Sequence, residues 1–103
     1  MKSLKVMTDF CSSGIWDYKT GVMVDYEDLS ISEELKRAFK DWIEFYDRKC
    51  TSKKTYCILK SKEQILNKKG RELACRLKKE LPKTDVYYYA DYSNGHCKLE
   101  KIT

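Results

Sequence analysis

Asp9, Asp17 and Asp25 recur at intervals of eight in the first quarter of the chain, and the one histidine, His96, stands near its end. Neighbouring carboxylates can share a proton, pass one to a substrate or hold a cation. A histidine titrates in the range that acid–base chemistry needs. One reading is therefore a small enzyme whose site is assembled from Asp9, Asp17 and His96. The aspartate spacing matches no cation-binding loop, however, and solvated acidic surface is the commoner use of such residues. His96 directly follows Asn94-Gly95, a turn, where a histidine is ordinarily in water. Ser12-Ser13-Gly14 is a turn that could also present backbone N–H groups to an anion.

The other reactive side chains offer less. Five cysteines, Cys11, Cys50, Cys57, Cys75 and Cys97, form an odd set without a C-x-x-C pair. Such spacing suits free thiols in a reducing compartment better than zinc or a disulfide framework. The nucleophile elbow, the phosphate-binding loop, the zinc-protease helix and the dinucleotide fingerprint are all missing. The expectation is a protein that is not an enzyme, with no catalytic residue, metal or cofactor. No run of about 18 apolar residues suggests a membrane span, and residues 1–10 read unlike a signal peptide. The expected location is the cytoplasm.

Charge is unevenly placed. The net charge of +5 hides ten acids against four bases over residues 9–47, a balance of −6, followed by three acids against thirteen bases over 48–83, a balance of +10. Segregation of this size implies an oriented field and a charged partner. The basic segment, with Lys53, Lys54, Lys68, Lys69, Arg71, Arg76, Lys78 and Lys79, could contact nucleic-acid phosphates, although no known recognition module is present. It could equally be a solvated helix face paired with the acidic half. In the acidic segment, Trp16, Asp17, Tyr18, Asp25, Glu27 and Asp28 mix carboxylates with large aromatics. Aromatics supply rigid contact area and carboxylates match a basic partner, so these six residues are a candidate protein-binding surface. Trp16 is equally readable as core.

The elements that must position these residues follow from periodicity. With 103 residues, of which 42% are hydrophobic, the expectation is a single domain over 1–103. Leu4, Val6, Thr8 and Phe10 alternate with Lys5, Met7 and Asp9, as in a strand with one buried face. Ile15–Asp17 and Val22–Val24 flank a turn containing Gly21, which predicts a hairpin. Ser30 and Glu33 form a capping box ahead of a helix over 31–48, whose apolar stripe runs Ile31, Leu35, Ala38, Phe39, Trp42, Phe45 and Tyr46. Tyr56, Ile58 and Leu59 could touch the core from an otherwise polar connection. Ser61 and Gln64 suggest a second cap. Ile65, Leu66, Leu73, Ala74, Leu77 and Leu81 form the second stripe, which Pro82 ends. Gly70 inside that stripe implies close packing on a neighbour, or a helix that starts after it; the first is favoured.

Asp85–Tyr92 has high β-propensity, and Asn94-Gly95 predicts a two-residue hairpin turn. That turn pairs Tyr92 with Cys97 and Ala90 with Leu99, both facing the core, and Asp91 with Lys98 on the other face. The predicted fold is α+β, a small single sheet of N-terminal strands and a C-terminal hairpin with two helices packed on one face.

Four stretches also resemble a known family: Asp9–Asp17 (DFCSSGIWD), Gly21–Leu29 (GVMVDYEDL), Trp42–Asp47 (WIEFYD) and Gly70–Pro82 (GRELACRLKKELP) before Val86-Tyr87-Tyr88. The pattern is similar to bacterial immunity proteins of contact-dependent growth inhibition and polymorphic toxin systems. The resemblance implies a cytosolic protein that binds and neutralises a cognate toxin domain, of nuclease type, by occluding its active site. One departure is the overall charge. Immunity proteins against basic nucleases are often acidic, and this chain is basic. Contact through the acidic segment, or a toxin that is not strongly basic, would accommodate it. The alternative function is a nucleic-acid-binding module using 48–83.

Overall fold

The computed structural model describes residues 2–52, 54 and 57–103. Tyr56 and Lys53, both singled out above, lie outside the described residues. The elements run β1 (Ser3–Val6), β2 (Ile15–Asp17), a 3-10 turn (Tyr26–Asp28), α1 (Glu33–Lys49), α2 (Lys60–Glu80), β3 (Asp85–Asp91) and β4 (Cys97–Ile102). They build one α+β layer pair. The sheet order is β2-β1-β3-β4, with β1 and β3 parallel and both outer pairs antiparallel. A parallel pair needs a long crossover, and here that connection contains β2 and both helices.

Strand alternation sends Leu4, Val6, Val86, Tyr88 and Ala90 into the core beside Leu35, Phe39, Trp42, Leu73 and Leu77 from the helices. β1 is shorter than its apolar alternation suggests. Thr8 and Phe10 lie beyond its end, and Phe10 instead packs its ring against Tyr46 at 5.1 Å. The predicted hairpin forms around the turn, with Trp16 opposite Met23 and Asp17 N–H donating to Val22 at 2.8 Å, although 22–24 is too brief to count as a strand.

α1 begins at Ser32, not Ser30. The Ser32 hydroxyl accepts the Leu35 N–H at 3.1 Å, as an N-cap should. A capping box would place the reciprocal carboxylate three residues on, but Leu35 occupies that place. Glu80 at the end of α2 supplies it instead, accepting from Ser32 N at 2.6 Å and Ser32 Oγ at 2.8 Å. One carboxylate thus ties the start of α1 to the end of α2. Glu80→Ala should cost about 1 kcal/mol of stability, read from the urea midpoint. An unchanged midpoint would show that the link contributes nothing.

α2 likewise starts one residue earlier than its supposed cap. Leu59 is the N-cap residue without a side-chain bond, and Ser61 sits inside the first turn. Ile58 is buried, whereas Leu59 and Ile65 are exposed, so they leave the predicted core. Gly70 lies where α2 crosses the sheet. A Cβ there would stand 2.6 Å from Trp42 Cζ2 and closer still to the Tyr88 ring. Neither ring is free to yield. Trp42 Nε1 donates to Leu66 O at 3.0 Å, and Tyr88 Oη donates to the buried Asn67 at 2.7 Å. Asn67 in turn donates to Asp91 O at 3.0 Å, so this buried amide is satisfied.

The β3–β4 register differs by one residue from that expected. Cys97 pairs with Asp91, Lys98 with Ala90 and Leu99 with Tyr89. The loop is Ser93-Asn94-Gly95, closed by Gly95 N–H to Tyr92 O and Tyr92 N–H to His96 O, with Gly95 at φ 84°. That is a three-residue turn ending in a left-handed glycine, one residue longer than the expected loop. A slip of one residue moves side chains to the opposite face. Leu99 and Cys97 therefore point away from the helices.

Candidate functional site

The strand register separates Asp17 from Asp9 and His96, the other two members of the catalytic set considered above. Asp17 pairs with Leu4 at the start of β1, whereas Asp9 follows the end of β1 and His96 follows the end of the parallel strand β3. Asp25 comes after Val24, which bonds back to Ile15 beside Val6, so it sits with Asp9 at the end away from Asp17. Among the described residues, no group of three His, Cys, Asp or Glu side chains is placed to hold a metal ion.

The six predicted contact residues divide by what the fold asks of them. Trp16 is half-buried, and its indole N–H donates to Met7 O at 3.0 Å. Asp17 closes the hairpin turn, its Oδ1 accepting from Lys19 N at 2.9 Å and Thr20 N at 3.4 Å before Gly21 at φ 73°. Asp17 therefore acts locally, as turn aspartates do. Tyr18 is exposed and stacks on Tyr87, with ring centroids 4.3 Å apart and planes at 25°. Asp25, Glu27 and Asp28 are exposed on and before the 3-10 turn, and among the described residues none is in an ion pair.

Two hollows meet at this segment. Asp17, Val22, Met23 and Asp28 line one of about 290 Å³. Met23 also borders an open groove of about 480 Å³, between the 11–13 turn, Asp25 and Tyr26 on one side and Lys40, Glu44, Asp47 and Arg48 on the other. The groove wall is well tied. Tyr26 Oη donates to Ser13 O at 2.6 Å, and burial pushes this phenol up to about 12, so it stays a neutral donor. Asp47 Oδ2 accepts from Cys11 N at 3.2 Å, which holds Cys11 at the unusual φ of 53°.

Val22 and Met23 were not among the predicted site residues. They are 63% and 41% exposed and sit between the acidic side chains. A signal existed. Three consecutive apolar residues, Val22-Met23-Val24, cannot all face one core in an extended segment, because side chains alternate. Only Val24 is buried.

The basic helix is differently arranged from the picture of a face paired with the acidic half. Among the described residues the ion pairs of α1 are internal, Lys36 with Glu33 and Arg48 with Glu44. On α2, Arg71 grips Glu100 on β4 through two bonds of 3.0 Å and reaches Tyr92 Oη at 3.2 Å. Its guanidinium holds the Glu100 carboxyl below the usual range. Lys69 lies over the Phe45 ring at 4.7 Å, and Lys78 donates to Pro82 O and Thr84 O beyond the helix end. Lys68, Arg76 and Lys79 are exposed and make no ion pair among the described residues.

The arrangement offers contact surface, acidic and apolar at the hairpin and basic on α2. A family model described as Serratia CdiI immunity protein-like matches residues 2–91, and the chain belongs to that family. The match spans every element from β1 to β3. A search of curated proteins finds no match. Among the described residues, no helix is long and apolar enough to cross a membrane.

Proposed function

We propose that this chain is an immunity protein that binds a cognate toxin domain in the cytoplasm and neutralises it by occluding its active site. The observation that carries the reading is family membership across residues 2–91. The surface supports it: exposed Tyr18, Val22 and Met23 stand among Asp17, Asp25, Glu27 and Asp28. Apolar contact area with carboxylates around it is suited to a basic protein surface, such as the phosphate-binding cleft of a nuclease. Trp16, Asp17, Tyr18, Asp25, Glu27 and Asp28 are the assigned contact residues. Trp16 and Asp17 act mainly by holding the hairpin that presents the others.

The reading requires a toxin gene beside that of this chain, and the test is to find that gene and co-express its toxin domain with this chain. Cells should survive the toxin only when this chain is present, and the two proteins should co-purify. Survival without this chain, or the absence of a complex, would overturn the reading.

A second reading rests on Lys68, Arg76 and Lys79, which are exposed on one helix and make no ion pair among the described residues. They fit binding to nucleic-acid phosphates, whose affinity should fall steeply with salt. Unretarded duplex and single-stranded probes at low salt would remove it.

A further inference from the structure

Both helices pack on one side of the sheet, and the other side is left to solvent. That side is built in register. Trp16, Lys5, Tyr87 and Lys101 stand side by side on the four strands, and Tyr89 pairs with Leu99 in the next row. These residues alternate with the buried Leu4, Val6, Val86 and Tyr88, so they face outward. Hairpin pairing places Met23 across from Trp16 and extends the row towards the acidic segment.

Two contacts hold the face in shape. Tyr18 stacks on Tyr87, and Lys5 Nζ lies 5.4 Å from the centroid of the Tyr89 ring. Leu99 has no such cover and remains 44% exposed. An ordered patch of Tyr, Trp and Leu is the composition of an interface centre, where ordered aromatics lose little freedom on binding.

The charges around the patch are polarised. At the hairpin edge Asp17 and Asp28 border one hollow, with Asp17 on the helix side opposite Leu4, and on the face itself towards β4 lies Lys101, opposite Tyr87 and only loosely paired with Asp85 at 3.8 Å. Area gives a second constraint. Four strands spaced by ~4.8 Å and a few residue pairs long cover on the order of 300 Å². A stable complex covers roughly 800 Å² on each partner. The sheet face therefore fills the centre of such a contact and needs the acidic segment as part of its rim.

We propose that the open sheet face, centred on Tyr87, Tyr89 and Leu99, is the core of the toxin-binding surface, with the acidic hairpin as one edge. This rests on the toxin-binding reading above. The partner surface it fits is an apolar patch bordered by basic side chains on the hairpin side and acidic ones on the β4 side. A single-stranded nucleic acid could also stack on tyrosines. The acidic rim and the engagement of Lys5 with Tyr89 favour the protein.

The experiment is calorimetric titration of the wild-type chain and its variants with the catalytically inactivated cognate toxin domain, taken from the neighbouring toxin gene that the toxin reading requires. If the wild-type chain does not bind, the toxin reading itself fails. If it binds, Tyr87→Ala and Leu99→Arg should each weaken binding by about tenfold or more, while Lys68→Glu on α2 stays within about twofold. Thermal melts separate lost binding from lost folding. Should Tyr87→Ala unfold, Leu99→Arg, at an exposed position, decides alone. A folded Leu99→Arg that binds within twofold of wild type overturns the inference and leaves the toxin reading standing. Single-stranded DNA that competes with the toxin for wild type, and loses its hold on Tyr87→Ala, also overturns it.

Discussion

Gly70→Ala is expected to lower stability by about 2 kcal/mol, although alanine is the better helix former. The intrinsic gain is ~1 kcal/mol. Against it stands a methyl group within 2.6 Å of Trp42 and nearer still to Tyr88. Overpacking of a filled core costs roughly 1–3 kcal/mol and at times more, and this site is at the upper end. Moving Tyr88 would break its bond to Asn67, and moving Trp42 would break its bond to Leu66 O. Either shift would leave a buried polar group unpaired. For a chain of this size the melting temperature should fall by roughly 8–16 °C. In urea the midpoint should drop with an unchanged slope. A Gly70→Ala protein as stable as wild type would show that the two rings can repack freely.

The second large effect concerns binding. Asp25→Lys together with Asp28→Lys should weaken the toxin complex by about 10- to 100-fold, mainly through slower association, with the loss shrinking as salt is raised. Both carboxylates are exposed and free of ion pairs among the described residues, so the double change should leave folding intact. The matched control reverses charge on α2, Lys68→Glu with Lys79→Glu. Lys78 is unsuitable there, because its ammonium group ties Pro82 and Thr84 beyond the helix end. Stopped-flow association and equilibrium titration distinguish the two pairs. Unchanged binding in the first pair, with loss in the second, would move the interface to the basic helix.

The two effects probe different parts of the molecule, and the sequence anticipated them unequally. Gly70 could be singled out because a glycine in a helical stripe is costly unless a neighbour needs the space. The identity of that neighbour was not readable, since Trp42 and Tyr88 are distant in the chain. The acidic segment was readable from composition. The division of labour within it was not: Asp17 is occupied with its own turn, while Val22 and Met23 carry the exposed apolar surface.

Periodicity determined both helices and the β3 strand, because a 3.6-residue stripe or an alternating run is a local property of side-chain direction. Properties set by competition between local options were decided by the tertiary structure. Asn94-Gly95 can serve a two-residue turn or a three-residue turn with a left-handed glycine. The second prevails here, where Arg71 holds Glu100 and Glu63 holds Ser93 N at 2.8 Å, so that β4 and its loop are pinned to α2 in one register. Ser30 and Ser32 are both plausible caps, and Glu80, 48 residues along the chain, bonds only Ser32. The sequence alone predicted a sheet with helices on one face and put Ala90 inward and Asp91 outward on β3, but it put Leu99 inward on β4. The one-residue register of β4 turns Leu99 outward beside Tyr87 and Tyr89, because alternation fixes only relative facing within a strand and the loop decides which β4 residue meets each β3 partner.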